Sequence, residues 1–405
     1  MMWKKEVGLE HSKSFDYVLI ALVLFFLIGV IFRAPIAFVG VGIFLSYLIV
    51  YKVYDRGIGQ KLELESKEQS IKLFPGEEAN LKFELRNYSL FPIVNGMFKV
   101  QIGPSVKAYT LVDEQEEYWK QLKLPLSVLQ KRNTTIEFPV IAEQRGVSKV
   151  NNIEYTFPHL LNFNLVTLGY RKFFRTEFIV YPKLLPVEGA EAIFHMIPGD
   201  GRANFSPFED IQSPRGTRDY SFSDPFHRIN WNASVKSQSL QTNIYERVVD
   251  MSYVFIVNLS TEKGPNKYRY NKNLENLLSY TAYLSEFATK TGVPYEIYVN
   301  ARKPGKIPYI QLPEGEGKSH YGHALEMLAR VHKQSMIMPF NQLLHRLGKQ
   351  FINPKTIIII GEVPTGALET IQTWKQVQNT VFQVTGTEEG AVVRPIRKET
   401  YTNAT

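Results

Sequence analysis

Residues 15 to 51 set the terms for everything that follows them. Residues 15–32 read FDYVLIALVLFFLIGVIF and carry a single charge, Asp16, at one edge. That length is close to the roughly 20 residues a membrane-spanning helix needs. Arg33-Ala34-Pro35 interrupts the run. Proline disfavours helix for the residue before it, and arginine seeks water, so this tripeptide predicts a turn at an aqueous interface. A second apolar stretch, residues 36–51, follows and is closed by Tyr47, Tyr51 and Lys52. The pattern predicts an N-terminal transmembrane helical hairpin over 15–51. A cleaved secretory signal would end its apolar core at a small-residue site, whereas here the hydrophobicity resumes after Pro35.

Charge assigns the hairpin a direction. Lys4, Lys5 and Lys13 precede it, Lys52, Arg56 and Lys61 follow it, and its turn carries only Arg33. Cationic flanks stay on the cytoplasmic side, which predicts a multi-pass protein of the cell membrane with residues 1–14 and the whole soluble body in the cytoplasm. The full chain of 405 residues carries 47 Lys and Arg against 39 Asp and Glu, a net +8, spread without any basic block. No nucleic-acid-binding module accompanies that charge, and an anionic membrane face accounts for it more simply. Nucleic acid is not an expected partner. The absence of cysteine excludes thiol nucleophiles, disulfides, thiolate zinc sites and iron–sulfur clusters.

The body divides by its periodicity. Over 58–182, segments such as Leu81-Lys82-Phe83-Glu84-Leu85 and Phe98-Lys99-Val100-Gln101-Ile102 alternate apolar with polar residues. Turn signals at Pro75-Gly76, Asn95-Gly96 and Arg145-Gly146 separate them. This predicts a β-sandwich of immunoglobulin-like architecture. Residues 183–250, rich in Pro, Gly, Ser and charge, read as an irregular connecting segment. Over 251–392 strand patterns (253–257, 295–299, 356–360, 381–384) alternate with helical patterns (274–290, 320–332, 340–349, 368–377). That alternation predicts an α/β domain with a parallel sheet covered on both sides. Residues 393–405 read as a disordered tail.

Several fragments of catalytic or ligand-binding patterns fall short of their chemistry. Gly317-Lys318-Ser319 is like the end of a phosphate-binding loop, but the first glycine of that loop would fall at Leu312, and Glu314 and Glu316 would repel phosphate. His320, His323 and Glu326 have the spacing of one helix face, without the HExxH pattern of a zinc helix. There is no G-x-S-x-G elbow, and Asp113, Glu114, Glu116 and Glu117 read as a solvated acidic loop. The first strand of the α/β domain ends Asn258-Leu259-Ser260-Thr261-Glu262. A von Willebrand A-type domain carries D-x-S-x-S there and binds Mg²⁺ with it. Here Asn258 replaces the aspartate and Glu262 the second serine, so Asn258, Ser260 and Glu262 read as a degenerate, metal-free ion site. Glu362, after the 356–360 strand, stands near the same sheet edge.

Residues 213–236, SPRGTRDYSFSDPFHRINWNASVK, resemble the hallmark of the bacterial family catalogued as domain of unknown function 58. Arg218, Tyr220, Asp224, Arg228, Ile229, Asn230 and Trp231 match its pattern. Phe222-Ser223 stands where Pro-Gly is usual, and His227 where a further basic residue is. Arg145-Gly146 and Val180-Tyr181-Pro182 are similar to flanking motifs of the family, and 158–163 weakly matches a third. The resemblance implies paired N-terminal spans, a β-sandwich, a von Willebrand A-like domain and association with MoxR-type AAA+ ATPases. Arg218, Tyr220, Asp224, Arg228, Asn230 and Trp231 are the candidate binding residues. An Arg–carboxylate fork would tie the segment down, and Trp231 would serve as a large apolar plug.

The expected function is that of a membrane-anchored, non-enzymatic interaction or scaffold protein working with an AAA+ ATPase, without a cofactor, and docking it through the sheet edge near Asn258–Glu262 and Glu362. An envelope-related hydrolase is the competing class. It requires a pocket in which a base touches a nucleophile.

Overall fold

The computed structural model describes residues 2–6, 11–66, 68–108, 112–115, 119–194, 209–247, 252–262, 268–303, 305–351, 354–377, 379–387 and 390–396. It is a mixed α and β protein with several sheets, and it divides into two compact units, Met1–Lys183 with Leu328–Arg330 and Leu184–Met327 with Val331–Thr405.

The first unit opens with β1 (Trp3–Glu6), α1 (His11–Ile31) and α2 (Pro35–Gly57). Arg33 ends α1 in a left-handed conformation (φ 48°), and Ala34 is extended, as the residue before a proline must be. Pro35 then opens α2, where its missing N–H costs nothing. The helices pack closely through Phe25 on Phe44 and Phe26 on Phe38, at 5.5 and 6.3 Å between ring centres. Among the described residues α2 is the one helix long and apolar enough to cross a membrane, and it lies near the N-terminus. The described apolar part of α1, Asp16–Ile31, is shorter.

Ten strands follow: β2 (Leu62–Glu65), β3 (Gln69–Leu73), β4 (Glu78–Asn87), β5 (Ile93–Ile102), β6 (Val106–Ala108), β7 (Val112–Gln115), β8 (Lys120–Val128), β9 (Asn133–Ala142), β10 (Gly146–Pro158) and β11 (Leu165–Tyr170); β12 (Thr176–Val180) completes the unit. One sheet runs β2-β4-β9-β6 and the other β1-β11-β10-β5-β8-β7, with β12 and β3 added through β10. The period-two alternation sends Leu81, Phe83, Leu85, Phe98, Val100, Phe138 and Tyr155 into one shared core. Phe83 meets Phe98 and Phe138 at 5.3 and 5.8 Å. Each fully buried ring of this kind contributes about 1.5–3 kcal/mol of transfer free energy.

Residues 1–14, expected to be a simple cytoplasmic N-terminus, include a strand of this sheet: β1 pairs antiparallel with β11, Lys5 opposite Leu168. Lys5 also forms an ion pair with Asp55 near the end of α2. The N-terminal strand and the exit of α2 are thereby fastened to the same sandwich.

The second unit contains β13 (Val187–Glu188), α3 (Ala190–Phe194), β14 (Glu209–Asp219), α4 (Trp231–Ser237), β15 (Gln241–Arg247), β16 (Tyr253–Val257), β17 (Ser260–Glu262), β18 (Tyr268–Tyr270), α5 (Leu274–Thr291), β19 (Tyr295–Val299), β20 (Ile310–Gly315), α6 (Gly317–Ala329), α7 (Phe340–Gly348), β21 (Thr356–Ile360), α8 (Leu368–Gln376), β22 (Thr380–Thr387) and β23 (Gly390–Pro395). Its main sheet has the order β13-β23-β22-β21-β16-β19-β20. The four central strands, β22, β21, β16 and β19, are parallel, but β20 and β23 run antiparallel to their neighbours. The expected parallel sheet is therefore a mixed one, parallel only at its centre.

β16 is buried on both faces, which explains its unbroken apolar sequence. Val254 and Ile256 face a core with Leu343, Leu347 and Trp374. Tyr253 and Phe255 lie against Phe194 on the other side. Two boundaries are corrected here. Residues 393–395, expected in a disordered tail, belong to β23, where Val393 pairs with Val384. Residues 183–250, expected to be irregular, supply β13 to the main sheet and a separate antiparallel pair, β14 and β15. Pro214 disguised that pair in the sequence. It sits where the register shifts, a place at which a strand tolerates proline.

Candidate functional site

The hallmark residues fold into one local module between the two strands of the β14–β15 pair. Arg218 leaves β14 and donates through Nη2 to Asp224 Oδ1 at 2.6 Å, and its Nη1 donates to the Asp219 carbonyl at 3.3 Å. The arginine thus makes one bond to the carboxylate and one to the backbone, where a two-pronged fork was expected. The second carboxylate oxygen accepts from the Ser221 N–H at 2.9 Å, and Tyr220 Oη donates to the Asp224 carbonyl at 3.2 Å. The Arg218 bond, with the Ser221 amide behind it, holds the Asp224 carboxyl below the usual carboxylate range. A depressed folded-state pKa gives stability that is complete above the unfolded value, about 3.9, and is lost as pH falls through the lower folded value. The turn is therefore expected to hold at pH 5 and to open only in stronger acid. Amide exchange at Ser221, followed by nuclear magnetic resonance across that range, checks this.

Asn230 makes the next joint. Its Oδ1 caps α4 by accepting from the Ala233 N–H at 3.0 Å, and its Nδ2 donates to Asn243 Oδ1 on β15 at 2.8 Å. Ser234 Oγ receives the Gln241 N–H at 2.8 Å and donates to the Asn230 carbonyl at 2.7 Å. The Arg228 guanidinium lies 5.6 Å from the centre of the Tyr245 ring. Ile229 is the buried apolar residue of the motif.

Trp231 is not a plug. It is 59% exposed, with Phe226 (70%) set edge-on to it at 6.0 Å. Phe222, fully exposed, and Val235, 80% exposed, belong to the same module. Sequence reasoning missed Phe222, Phe226 and Val235. The available signal was large apolar side chains recurring in a stretch rich in Ser, Asp, Asn and charge.

The sheet edge after β16 is a different kind of place. Asn258, Ser260 and Asn300 are all buried. Asn258 Oδ1 accepts from Ser260 N (3.0 Å), Ser260 Oγ (2.7 Å) and Asn300 Nδ2 (2.8 Å). Asn300 Nδ2 also approaches Ser260 Oγ and the Met338 carbonyl, both at 3.2 Å, while its Oδ1 takes the Leu259 N–H at 2.8 Å. Asn258 Nδ2 donates to the Glu362 carbonyl at 2.7 Å. Gly361 (φ +113°) permits this closeness, because a Cβ there would lie 2.7 Å from the Asn258 carbonyl oxygen. The carboxamide groups at this edge bond one another. Burial removes Asn258 and Ser260 from direct contact with a partner, whereas Glu362 is exposed. The side chain of Glu262 lies outside the described residues. Asn300 was missed by sequence reasoning, although it follows β19 as Asn258 follows β16.

The remaining fragments resolve locally. His320 Nε2 is 2.9 Å from the Tyr295 carbonyl, so the start of α6 is tied to β19; burial lowers its pKa. Among the described residues no three His, Asp or Glu side chains form a group that could hold a metal. Glu314, in the segment once compared with a phosphate loop, bonds Lys355 at 2.8 Å. Of the acidic loop, Glu116 and Glu117 lie outside the described residues.

No family model matches the sequence, and no curated protein matches it. Solved structures give partial, low-scoring likenesses. An alpha-2-macroglobulin of Salmonella is 15% identical over 30% of this chain and 7% of its own, with a TM-score of 0.19. A non-cellulosomal cohesin of Archaeoglobus fulgidus is 12% identical over 34% of this chain and 98% of its own, TM-score 0.19. A beta-glucosidase of Listeria innocua is 10% identical over 28% of this chain and 16% of its own, TM-score 0.15. The chain thus spans only a small part of the first and third.

Proposed function

We propose that this chain is a membrane-anchored, non-enzymatic interaction protein of the domain of unknown function 58 type, and that the 218–243 module is its docking surface for a cytoplasmic MoxR-type AAA+ ATPase. The observation that carries this reading is the exposure of Phe222, Phe226, Trp231 and Val235 on a module fixed by Arg218–Asp224 and Asn230. Large aromatic side chains held in water on a rigid support are what binding hot spots are made of. Under this reading the first unit is an immunoglobulin-like sandwich and the second a von Willebrand A-like domain. Its ion position is closed by the Asn258–Ser260–Asn300 amides, and docking moves from the sheet edge to the module.

Two features support a two-span anchor in a cell membrane. β1 precedes α1 and joins the sandwich that follows α2, so a crossing by α2 requires a return crossing by α1. The basic flanks favour the cytoplasm for that shared side. Affinity purification from membranes with mass spectrometry, with and without ATP, identifies the partner. With the partner in hand, Phe226→Ser/Trp231→Ala is expected to weaken binding at least thirtyfold, the scale of a hot spot of about 2 kcal/mol. Its melting temperature should stay within about 2 °C of the parent, because neither side chain is buried. Unchanged affinity would remove the module from the interface.

A further inference from the structure

The end of the sandwich nearest the hairpin is built differently from the far end. Three loops meet there, residues 88–92, 129–132 and 159–164. Strand register places them together: Asn87 is opposite Leu62, Asn133 opposite Arg86, Val128 opposite Ile93 and Leu165 opposite Pro158. Their tips are apolar and exposed: Leu90 at 68%, Leu129 at 45%, Leu160 at 40% and Phe163 at 79%. Lys131 and Arg132 are exposed beside them. Turns at the opposite end read Pro75-Gly76-Glu77 and Glu143-Gln144-Arg145.

These loops are fastened along the side of α2. Phe91 packs on Tyr54 at 5.0 Å and leaves no room for a side chain at Gly57. His159 is buried between Tyr51 and Tyr54, at 4.9 and 4.6 Å. Tyr47 Oη donates to the Leu161 carbonyl at 3.4 Å, and Asn162 Nδ2 donates to Tyr51 Oη at 3.5 Å. Phe163 is directed by its own backbone (φ +58°), with its N–H bonded to the His159 carbonyl.

Depth follows from helix geometry. Tyr47 is twelve residues beyond Pro35, about 18 Å along the helix at 1.5 Å per residue. A hydrocarbon core of about 30 Å needs about 20 residues, and so reaches past Tyr47 toward Tyr54. A loop bonded at Tyr47 and Tyr51 therefore meets the bilayer.

We infer that this end of the sandwich is a bilayer-contacting surface, with Leu90, Leu129, Leu160 and Phe163 entering the boundary between headgroups and acyl chains. Lys131 and Arg132 face anionic headgroups. The surface holds the sandwich against the membrane instead of letting it swing on α2. The inference rests on the reading of α2 as a membrane span.

The test uses the full chain, whose lack of cysteine lets one introduced thiol carry a probe. An environment-sensitive NBD fluorophore is placed at Leu165→Cys, beside the tip, at Ile43→Cys on α2, or at Asn80→Cys on the far part of β4. Each protein is reconstituted in phosphatidylethanolamine/phosphatidylglycerol vesicles containing doxyl-labelled phospholipid. Quenching of at least twofold is expected at positions 43 and 165 and not at 80, and adding Phe163→Ser should reduce it at 165 alone. Quenching at 43 with none at 165 would overturn the inference and leave the anchor intact. A blue-shifted but unquenched probe at 165 would assign the surface to a protein and overturn it equally. No quenching at 43 would overturn the anchor, and this surface with it. In phosphatidylcholine vesicles the quenching at 165 should fall; equal quenching there would remove the headgroup role of Lys131 and Arg132.

Discussion

Replacing Lys355 with methionine is expected to destabilise the second unit by about 3–5 kcal/mol, the cost of removing one partner from a buried ion pair. Lys355 Nζ bonds Glu296 Oε1 and Glu314 Oε2, each at 2.8 Å. The Glu296 side chain is 8% exposed, while Glu314 is 41% exposed and can turn to water. Glu296 has no such escape. Tyr298 Oη already donates to its other oxygen at 2.6 Å, and burial together with that carboxylate pushes the tyrosine pKa up. Loss of the cation would strand a carboxylate among apolar side chains. Chemical denaturation of the full chain in detergent, followed at the transition of the second unit, measures the loss. The double variant Lys355→Met/Glu296→Gln should recover at least half of it, because no charge is then stranded. A Lys355→Met loss below about 1 kcal/mol would mean that water reaches Glu296, as at surface pairs.

The pair also sets a pH limit. Burial disfavours the charged lysine, but hydrogen bonds to Glu296 and Glu314 outweigh it, and its pKa is raised. A raised folded-state pKa gives stability that is complete below the unfolded value, about 10.4, and is lost as pH rises through the higher folded value. The parent is therefore expected to lose stability in strong alkali by a step that Lys355→Met lacks.

Asn300→Leu is the second large effect, expected at about 2–5 kcal/mol. The shape is nearly kept, but the Leu259 N–H loses its acceptor and the Met338 carbonyl its Asn300 donor in buried positions, while Asn258 Oδ1 and Ser260 Oγ keep their bond to each other. Each orphaned buried group costs about 1–3 kcal/mol. Asn258→Asp should fail for a different reason. A carboxylate oxygen would replace the N–H that now meets the Glu362 carbonyl at 2.7 Å, so two acceptors would face each other. If millimolar Mg²⁺ raised the melting temperature of Asn258→Asp by several degrees, the edge would hold an ion once charge was restored, and the amide account of its closure would be wrong.

Elements made by local pattern were legible in the sequence. The unbroken apolar runs at 253–257 and 356–360 became β16 and β21, and the spacing of Leu274, Leu277, Leu278 and Leu284 became α5. Elements made by a distant partner were not. β1 is four residues with no pattern of its own, and only β11 makes it a strand. Residues 393–395 are held by β22 in the same way. The site divided along the same line. Asn258 and Ser260 could be singled out because they stand on two positions of a D-x-S-x-S pattern, Asn258 in place of its aspartate and Ser260 on its first serine. Asn300 could not, because its meaning depends on β19 lying beside β16. Arg218 and Asp224 bond each other within their own motif, so that pairing was readable. The exposure of Trp231 depends on what does not pack over it, and no local spacing encodes that.

The pairing of β1 with β11 also bears on the order in which the chain can be completed. Lys5 is made well before its neighbour Leu168, which follows only after most of the sandwich has been made. The edge of the larger sheet therefore closes late, and the N-terminal strand must wait on the side where that edge will form. Displacing residues 3–6 would leave β11 as an open edge, able to pair with another chain and aggregate.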